Sequence, residues 1–572
     1  MIQTYFACAT EGDGRPPELP VTLARQLARA GCSERYRGAD FLLYTTADLP
    51  VRSLEAGGVL IGHLFDPDGS PAANRINEGL AGSAAERLVR QYWGSYVALV
   101  RNGEALRVLR DPSGGLACYS AEIEGLHYFT SAPHVLADSD LLGAQIDWHA
   151  VASALARRAA RSRSTALEGI AEILPGTMGT FVDGGEESSR IWDPWRFAAT
   201  QPEEPAAALE QVLSSTLAAW ARCFPRPLIE ISGGLDSAIV AAGMAAAAPQ
   251  VSLITFAAAA GDADETPYAR AIAEQLALPL EIAAPRVADV DLARSLSANL
   301  PRPNARAFTQ SGDKLSLRHA RAIGANAFAS GGGGDDVFCY LRNVLPAIDR
   351  LQAEGVRAML ATAQDIAVMN HSTFWQAISR ISRRLRRGAS SRQGPDLRFL
   401  APGLEVSCEG AEPIEARRIP GKADHVRGVL TIHNYLEGHE RASFAPMLSP
   451  LLSQPIIECC LSIPTWHWCA GGRNRAVARE AFSGRLPRMV LERRSKGSFD
   501  AFSALLLQAN LDLVRDMLLH GELAARNMLD RKAIETALDA PSPPSESVTR
   551  LLALVDVESW VQSWKGRQPA GG

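Results

Sequence analysis

Short stretches in which apolar and polar residues alternate run through the first 200 residues. They are FLLYTT (41–46), SYVALVRN (95–102), ALRVLRD (105–111) and HYFTSA (127–132), and turn-forming residues separate them. A period of two broken by turns is typical of antiparallel strands. Residues 19–30 and 146–160 favour helices instead. The pattern therefore predicts a layered α+β domain over residues 1–200.

The pattern changes after residue 205. Residues 183–205 are polar and rich in tryptophan and proline, which predicts an interdomain linker or a strand pair leading into one. Beyond them, amphipathic helices alternate with short apolar runs at 228–231, 251–256, 280–282 and 326–330. This alternation predicts an α/β domain with a parallel sheet and crossover helices over residues 205–572. From about residue 355 the chain is predicted to be mainly helical.

Composition and charge fit two globular domains. Of the 572 residues, 47% are hydrophobic and 21% are charged, and 58 basic against 63 acidic residues give a net charge of −5. These values exclude extended disorder and do not favour nucleic acid as a partner. The basic run at 380–396 is interpreted as a solvated helix end and loop, with the docking of an acidic partner or substrate as the alternative.

Cysteine usage and apolar stretches predict a cytoplasmic protein. The nine cysteines include no C-x-x-C pair, which argues against a disulfide framework and a structural zinc site. No secretory signal is visible at the N-terminus. The longest apolar stretch, 238–261, is mostly alanine and is broken by Pro249, so it predicts a buried helix and a strand rather than a membrane span.

The strongest chemical signal is LIEISGGLDSA at residues 228–238. Seven consecutive residues lie where its apolar run passes into a helix: Ile231, Ser232, Gly233, Gly234, Leu235, Asp236 and Ser237. Glycines let backbone N–H groups approach an anion, and a helix N-terminus adds partial positive charge. The segment predicts a phosphate cradle without the spacing or the lysine of a Walker loop. An aspartate beside phosphate requires a bridging divalent cation, so Asp236 is a candidate metal ligand.

A second glycine-rich turn, ASGGGGDDVF at 329–338, follows about 95 residues later. Carboxylates at the carboxyl end of a strand are suited to hold magnesium. Asp335 is the predicted ligand here, with Asp336 as an alternative. Three residues before them are candidate nucleotide contacts: Ser330, Gly331 and Gly332.

These motifs resemble those of the PP-loop ATP pyrophosphatases, which cleave ATP between the α and β phosphates. The second turn resembles the S-G-E-G-S-D-E turn of asparagine-synthetase-like enzymes, with Gly332 at the glutamate position. A lysine in a basic C-terminal loop of that family matches Lys496 in LERRSKGSFD (491–500). The resemblance covers roughly residues 205–505, including 445–464 and 471–482. It implies ATP and Mg²⁺, with catalytic roles for Lys496, Asp236 and Asp335.

The first half resembles a class II glutamine amidotransferase domain, an Ntn-type sandwich. The resemblance rests on WGSYVALV (93–100), RDPSGG (110–115) and GIAEILPGT (169–177). Active members carry a nucleophilic cysteine directly after the initiator methionine, where this sequence has Ile2. Cys8 cannot replace it, because its own amine is tied into a peptide bond. We expect a degenerate domain with a structural or substrate-binding role.

A disabled ammonia supply implies that the attacking amine already belongs to the substrate. β-Lactam synthetases and the macrolactam synthetases of lasso-peptide biosynthesis work in this way. Gly332 offers no side chain for acid–base chemistry, and TWHWCAGGRNR (465–475) with RRSKGSFD is most similar to the lasso-peptide cyclases. Tyr435 and His439, spaced as neighbours on a helix, are candidate pocket residues or simple packing residues.

The predicted reaction is ATP-dependent closure of a macrolactam. An Asp or Glu side chain of a short precursor peptide is adenylated, and the peptide's N-terminal amine then displaces AMP. The resemblance also implies a complex with a leader peptidase. A β-lactam synthetase, an ammonia-dependent asparagine synthetase and a non-catalytic nucleotide-binding scaffold remain alternatives.

Overall fold

The computed structural model describes residues 3–10, 17–38, 41–54, 57–77, 79–143, 145–156, 161–182, 185–258, 264–304, 306–386, 395–406, 418–494, 497 and 499–567. Elements are numbered below in chain order over these residues. Ile2 and Lys496 lie outside the described residues.

The first half contains thirteen described strands and four described α-helices. The strands are β1 (Tyr5–Thr10), β2 (Cys32–Arg37), β3 (Phe41–Thr46), β4 (Val51–Leu54), β5 (Val59–Phe65), β6 (Arg75–Ile76), β7 (Trp93–Asn102), β8 (Ala105–Arg110), β9 (Tyr119–Ile123), β10 (Leu126–Thr130), β11 (Ala171–Glu172), β12 (Thr177–Val182) and β13 (Gly185–Arg190). The helices are α1 (Val21–Arg29), α2 (Ala84–Gln91), α3 (His134–Asp138) and α4 (Trp148–Ala156). The four alternating stretches and both predicted helices are thereby confirmed, except that residues 157–160 of the second helix lie outside the described residues. The polar stretch after residue 183 supplies β13, which pairs with β12, and a 3₁₀-helix over Pro194–Ala199.

Two sheets pack face to face in this half. Their strand orders are β11-β9-β10-β1-β3-β2 and β13-β12-β8-β7-β5-β4-β6, antiparallel except for the β4–β6 pair. Alternation along β1 sends Tyr5, Ala7 and Ala9 into the core between the sheets, and Phe6 and Cys8 into the core beneath α1 and α3. The outer face of the seven-stranded sheet packs against the second half of the chain.

The second half is built on a five-stranded parallel sheet. Its strands are β14 (Pro227–Glu230), β15 (Ser252–Phe256), β16 (Leu280–Ala283), β17 (Ala327–Ser330) and β18 (Met447–Leu448), in the order β16-β15-β14-β17-β18. Four helices accompany it: α5 (Pro205–Cys223), α6 (Leu235–Ala245), α7 (Thr266–Leu276) and α8 (Gln310–Ile323). The predicted parallel strands and the helix–strand interpretation of 238–261 are confirmed. Two-residue β18 is too short to leave a pattern in the sequence.

The remaining described chain is mainly helical, as predicted. Its α-helices are α9 (Gly334–Val337), α10 (Leu345–Glu354), α11 (Val356–Met369), α12 (Phe374–Arg386), α13 (Pro420–Thr431), α14 (Gln454–Ser462), α15 (Ala476–Ala481), α16 (Arg488–Leu491), α17 (Asp500–Ala509), α18 (Leu511–His520), α19 (Glu522–Ala525), α20 (Arg531–Leu538) and α21 (Ser545–Lys565). Short 3₁₀-helices cover Val287–Asp289, Ala307–Thr309, Ile432–Tyr435, Glu440–Ser443, Pro450–Leu452 and Thr465–Gly472. Among the described helices, none has the length and apolar character needed to cross a bilayer.

The helical pairing of Tyr435 with His439 is wrong. Tyr435 ends one 3₁₀-helix, and His439 stands in extended conformation before the next. Gly438 between them has a φ of +83°, which a continuing right-handed helix cannot contain.

A buried ionic network joins the two halves of the chain. Glu172 is fully buried and forms ion pairs with Arg110 at 2.7 Å, Arg161 at 3.0 Å and Arg302 at 2.9 Å. Arg161 also pairs with Glu437 of the second half. Because a buried charge without its partner is strongly destabilising, this network fixes the relative position of the two halves.

Candidate active site

The two predicted loops leave the same edge of the parallel sheet. β14 and β17 are neighbours in it, and Glu230 pairs with Ser330 at their carboxyl ends. After β14 the chain builds β15 and β16 on one side, and it then crosses to the other side for β17. Such a point, where the strand order reverses, opens a crevice outside the sheet that commonly binds ligands in α/β folds.

The first loop has the form of an anion cradle. Gly233 has a φ of +63°, and a Cβ on it would come 2.6 Å from Tyr268 Cβ, so only glycine fits there. Ser237 Oγ accepts the N–H of Ser232 at 3.2 Å and donates to the carbonyl of Gly234 at 3.3 Å. α6 begins directly after the glycines, and its first N–H groups and dipole point at the crevice.

Two of the predicted loop residues contribute only backbone. The side chains of Ile231 and Leu235 are 1% and 2% exposed and belong to the hydrophobic core. They anchor the ends of the cradle while their peptide groups remain in it.

The second loop packs directly against the first. A Cβ on Gly331 would lie 2.4 Å from the backbone nitrogen of Ser237, and one on Gly334 would lie 2.5 Å from Asp236 Cγ. Gly332 differs from both, because it is exposed and a Cβ there would meet only Ser330 Oγ, at 3.2 Å. A Cβ on Gly333 would lie 2.7 Å from Leu452 Cδ2, so the glycine run serves close packing at three positions and is exposed at Gly332.

Asp236 and Asp335 lie close together, and both carboxylates form ion pairs with the same side chain, Arg475. Arg475 Nη1 lies 2.6 and 2.7 Å from the two carboxylate oxygens of Asp236 and 2.8 Å from Asp335 Oδ1. Asp336, the alternative ligand, has its Oδ1 against α13, 2.8 Å from where a Cβ of Gly428 would lie.

The residues present fit a magnesium ion. The guanidinium already demonstrates that a cation fits between the two carboxylates. No group of three or more His, Cys, Asp or Glu side chains suited to a metal occurs among the described residues. Magnesium needs no such group, since it is commonly held by one or two carboxylates together with substrate phosphates and water.

The C-terminal basic loop is anchored beside the first glycine-rich loop. Arg493 bonds to the carbonyl of Gly233 at 3.1 Å, pairs with Glu265 at 2.6 Å and lies over the ring of Tyr268. The N–H of Gly497 donates to the same Glu265 carboxylate at 3.0 Å. Lys496 itself falls outside the described residues, so its predicted role stays a prediction.

A charged cluster borders the carboxyl end of β14. Arg441 contacts Glu230 at 2.6 Å and Asp313 at 3.2 Å. Burial raises the pKa of Asp313, whose carboxylate also accepts the N–H of Glu440 at 2.7 Å. The cluster holds the 440–443 turn against α8 and so shapes one wall of the crevice.

Arg306 lies next to this cluster with incomplete compensation of its charge. Its guanidinium donates to the carbonyl of Tyr435 and approaches His439 Nδ1 at 3.5 Å. Burial lowers the pKa of Arg306 to about 10. Burial also lowers the pKa of His439, which therefore stays neutral near pH 7.

Cys8 is an ordinary packing residue in the core beneath α1 and α3. It is fully buried in β1, and burial raises the pKa of its thiol to about 12. A thiol in that state supplies no thiolate near neutral pH. Eight free cysteines occur among the described residues, and Cys408 lies outside them.

Sequence reasoning missed the residues that join the motifs to one another. Arg475 bridges the two aspartates, and Asn474 fixes it by bonding both backbone groups of Leu341 at 2.9 and 3.0 Å. Arg479 reaches the carbonyls of Leu491 and Arg493 and ties α15 to the basic loop. The only available signal was the similarity of 471–482 to a known family helix.

The family comparison agrees with this geometry. The family model described as asparagine synthase matches residues 208–564. The chain belongs to the asparagine synthase family. Its members are ATP-dependent ligases that form carbon–nitrogen bonds, which sets the enzyme class of this chain.

Comparison with solved structures gives two remote likenesses. Glutamine phosphoribosylpyrophosphate (PRPP) amidotransferase from B. subtilis, complexed with ADP and GMP, is 10% identical at a TM-score of 0.23, over 57% of this chain and 90% of that one. A structure titled as the allosteric regulatory enzyme of purine biosynthesis is 11% identical at a TM-score of 0.21, over 57% and 83%. None of the curated proteins compared with the chain matches it.

Proposed function

We propose that this enzyme closes a macrolactam in lasso-peptide biosynthesis. The observation that carries the proposal is the exposed Gly332 in the second glycine-rich turn, where the similar turn of asparagine-synthetase-like enzymes has a glutamate side chain. A site without that side chain suits a substrate larger than a free amino acid.

Exposed aromatic rings around the crevice support a peptide substrate. Phe308 and Phe499 are 39% and 57% exposed with ring centroids 6.4 Å apart. Tyr340, beside Arg475, and Tyr435, beside Arg306, are 37% and 41% exposed. Aromatic residues are enriched on the surfaces with which proteins bind other polypeptides.

The reaction proceeds in two displacements. The peptide carboxylate attacks the α-phosphorus of ATP and releases pyrophosphate. The negative charge of the pyrophosphate is stabilised by the N–H groups of residues 233–236 and by the α6 dipole. The peptide's N-terminal amine then attacks the acyl-adenylate and releases AMP and one proton. Mg²⁺, when bound by Asp236 and Asp335, would neutralise phosphate charge.

The second step needs no strong general base from the chain. An α-amino group has a reference pKa of about 7.7–8.0, so a useful fraction is neutral near pH 7–8. Holding the amine and the acyl-adenylate together lowers the activation free energy of the second step by up to about 7–11 kcal/mol. We assign the first half of the chain, as a degenerate Ntn-type amidotransferase domain, a supporting role rather than ammonia production.

Mass spectrometry tests the reaction. The chain is incubated with ATP, Mg²⁺ and synthetic peptides encoded beside its gene, each with a free N-terminus and an internal Asp or Glu. The expected product has lost one water, with one AMP and one pyrophosphate formed per ring. An N-acetylated peptide should support ATP–pyrophosphate exchange without ring closure.

Variants and alternative substrates separate the alternatives. Lys496→Met should lower the exchange rate about 100-fold or more, whereas Arg494→Met, an exposed neighbour, should change it little. Steady formation of asparagine from aspartate and ammonia would replace the proposal with an asparagine synthetase. Absence of exchange with every peptide, together with retention of the biological role by Asp236→Asn, would favour the scaffold.

A further inference from the structure

Arg475 forms ion pairs with both Asp236 and Asp335, which are called the acid pair below. Its side chain is 9% exposed, and one nitrogen, Nη1, contacts three oxygens of Asp236 and Asp335. Its backbone is left-handed, with a φ of 57° and a ψ of 39°, which is unfavourable by about 1–2 kcal/mol for a residue with a Cβ. Strained backbone of this kind persists where the surroundings over-determine it, commonly at functional sites.

Local contacts hold Arg475 in that conformation. Asn474, the preceding residue, is bonded to both backbone groups of Leu341, and the ring of Tyr340 lies 5.2 Å from the guanidinium carbon. The loop that carries Asp335 therefore also carries the support for Arg475. The pairing is built into two segments 140 residues apart in sequence.

We propose that Arg475 occupies the metal position in the nucleotide-free enzyme and yields it when Mg·ATP binds. The inference rests on the proposed use of this site for Mg·ATP. Two carboxylates this close repel each other unless a cation lies between them. The same oxygens cannot bind Arg475 and a metal ion together, so free Mg²⁺ is excluded until ATP arrives with it. The released guanidinium is then available to phosphate oxygens, which it binds well.

The test is the binding of metal alone. Mn²⁺ without nucleotide is titrated into the full chain and followed by electron paramagnetic resonance. Wild type should bind it at least about tenfold more weakly than Arg475→Gln, because the variant removes the guanidinium that competes with the metal ion for the oxygens of Asp236 and Asp335. In a melting experiment, Arg475→Gln should be less stable than wild type in chelator. Added Mg²⁺ should raise the melting temperature of the variant only.

Arg473→Gln is the matched control, since it removes an exposed arginine from the same turn and should behave as wild type. Mn²⁺ binding to wild type as tight as to Arg475→Gln would overturn the inference. If Arg475→Gln does not fold, the wild-type titration still decides: tight nucleotide-free binding refutes the proposal, and weak binding supports it. Failure of wild type to bind Mn²⁺ with a non-hydrolysable ATP analogue would instead refute the proposed function.

Discussion

Gly331 lies where the two strand-end loops touch, so a methyl group there has no room. Its φ is outside the left-handed region, which means that alanine can adopt the backbone conformation itself. The added Cβ, however, would lie 2.4 Å from Ser237 N and 2.8 Å from the carbonyl carbon of Asp236. Both are backbone atoms, so one loop must move by about 1 Å to restore ordinary contact.

The magnitude follows from overpacking. Inserting a methyl group into a well-packed site is unfavourable by about 1–3 kcal/mol. If that strain appears in the nucleotide-bound state, Gly331→Ala should weaken the binding of a non-hydrolysable Mg·ATP analogue by roughly 5- to 150-fold. Any part of the strain that is already present in the nucleotide-free chain should instead lower the midpoint of thermal unfolding.

Isothermal titration calorimetry measures the loss of affinity for the ATP analogue, and thermal unfolding measures the loss of stability. Gly332→Ala is the matched control, because its Cβ would meet only the rotatable Ser330 Oγ at 3.2 Å. Its affinity should stay within about threefold of wild type. If Gly331→Ala and Gly332→Ala have the same affinity and the same unfolding midpoint, the back-to-back packing of the loops is not what positions the site.

Three further outcomes are expected. Glu172→Gln should lower stability by about 3–5 kcal/mol in denaturant unfolding, because it leaves buried arginines without their carboxylate; an unchanged midpoint would contradict the network. Burial raises the pKa of Glu458 to about 7, against about 4.3 unfolded, so the folded chain holds this proton longer and its stability falls as pH rises through that window. Glu458→Gln should therefore match wild type near pH 4 and exceed it by roughly 3 kcal/mol above pH 8, and a pH-independent difference would refute the assignment. Gly332→Glu should retain the affinity for the ATP analogue but slow ring closure in the mass-spectrometric assay, and closure at the wild-type rate would show that the open turn is not used by the peptide.

Local patterns were sufficient for the elements and for the two loops. Strand alternation over 41–46 and 105–111 is written in adjacent residues, and the structure has strands there. The SGGLDS segment combines loop, glycines and helix start within six residues, which explains why it was visible without any knowledge of the fold. The spacing of Tyr435 and His439 alone is compatible with a helix, whereas the positive φ of Gly438 between them ends it.

The sequence by itself determined the layered first half, the parallel sheet of the second and the position of the two glycine-rich loops, because each depends on residues close together in the chain. Only the tertiary structure decided which charges meet. Arg475 reaches Asp236 across 239 residues, and Arg493 reaches Glu265 across 228. An isolated arginine gives no sequence signal of its partner, since its long side chain can pair with any carboxylate that the fold brings within about 3 Å.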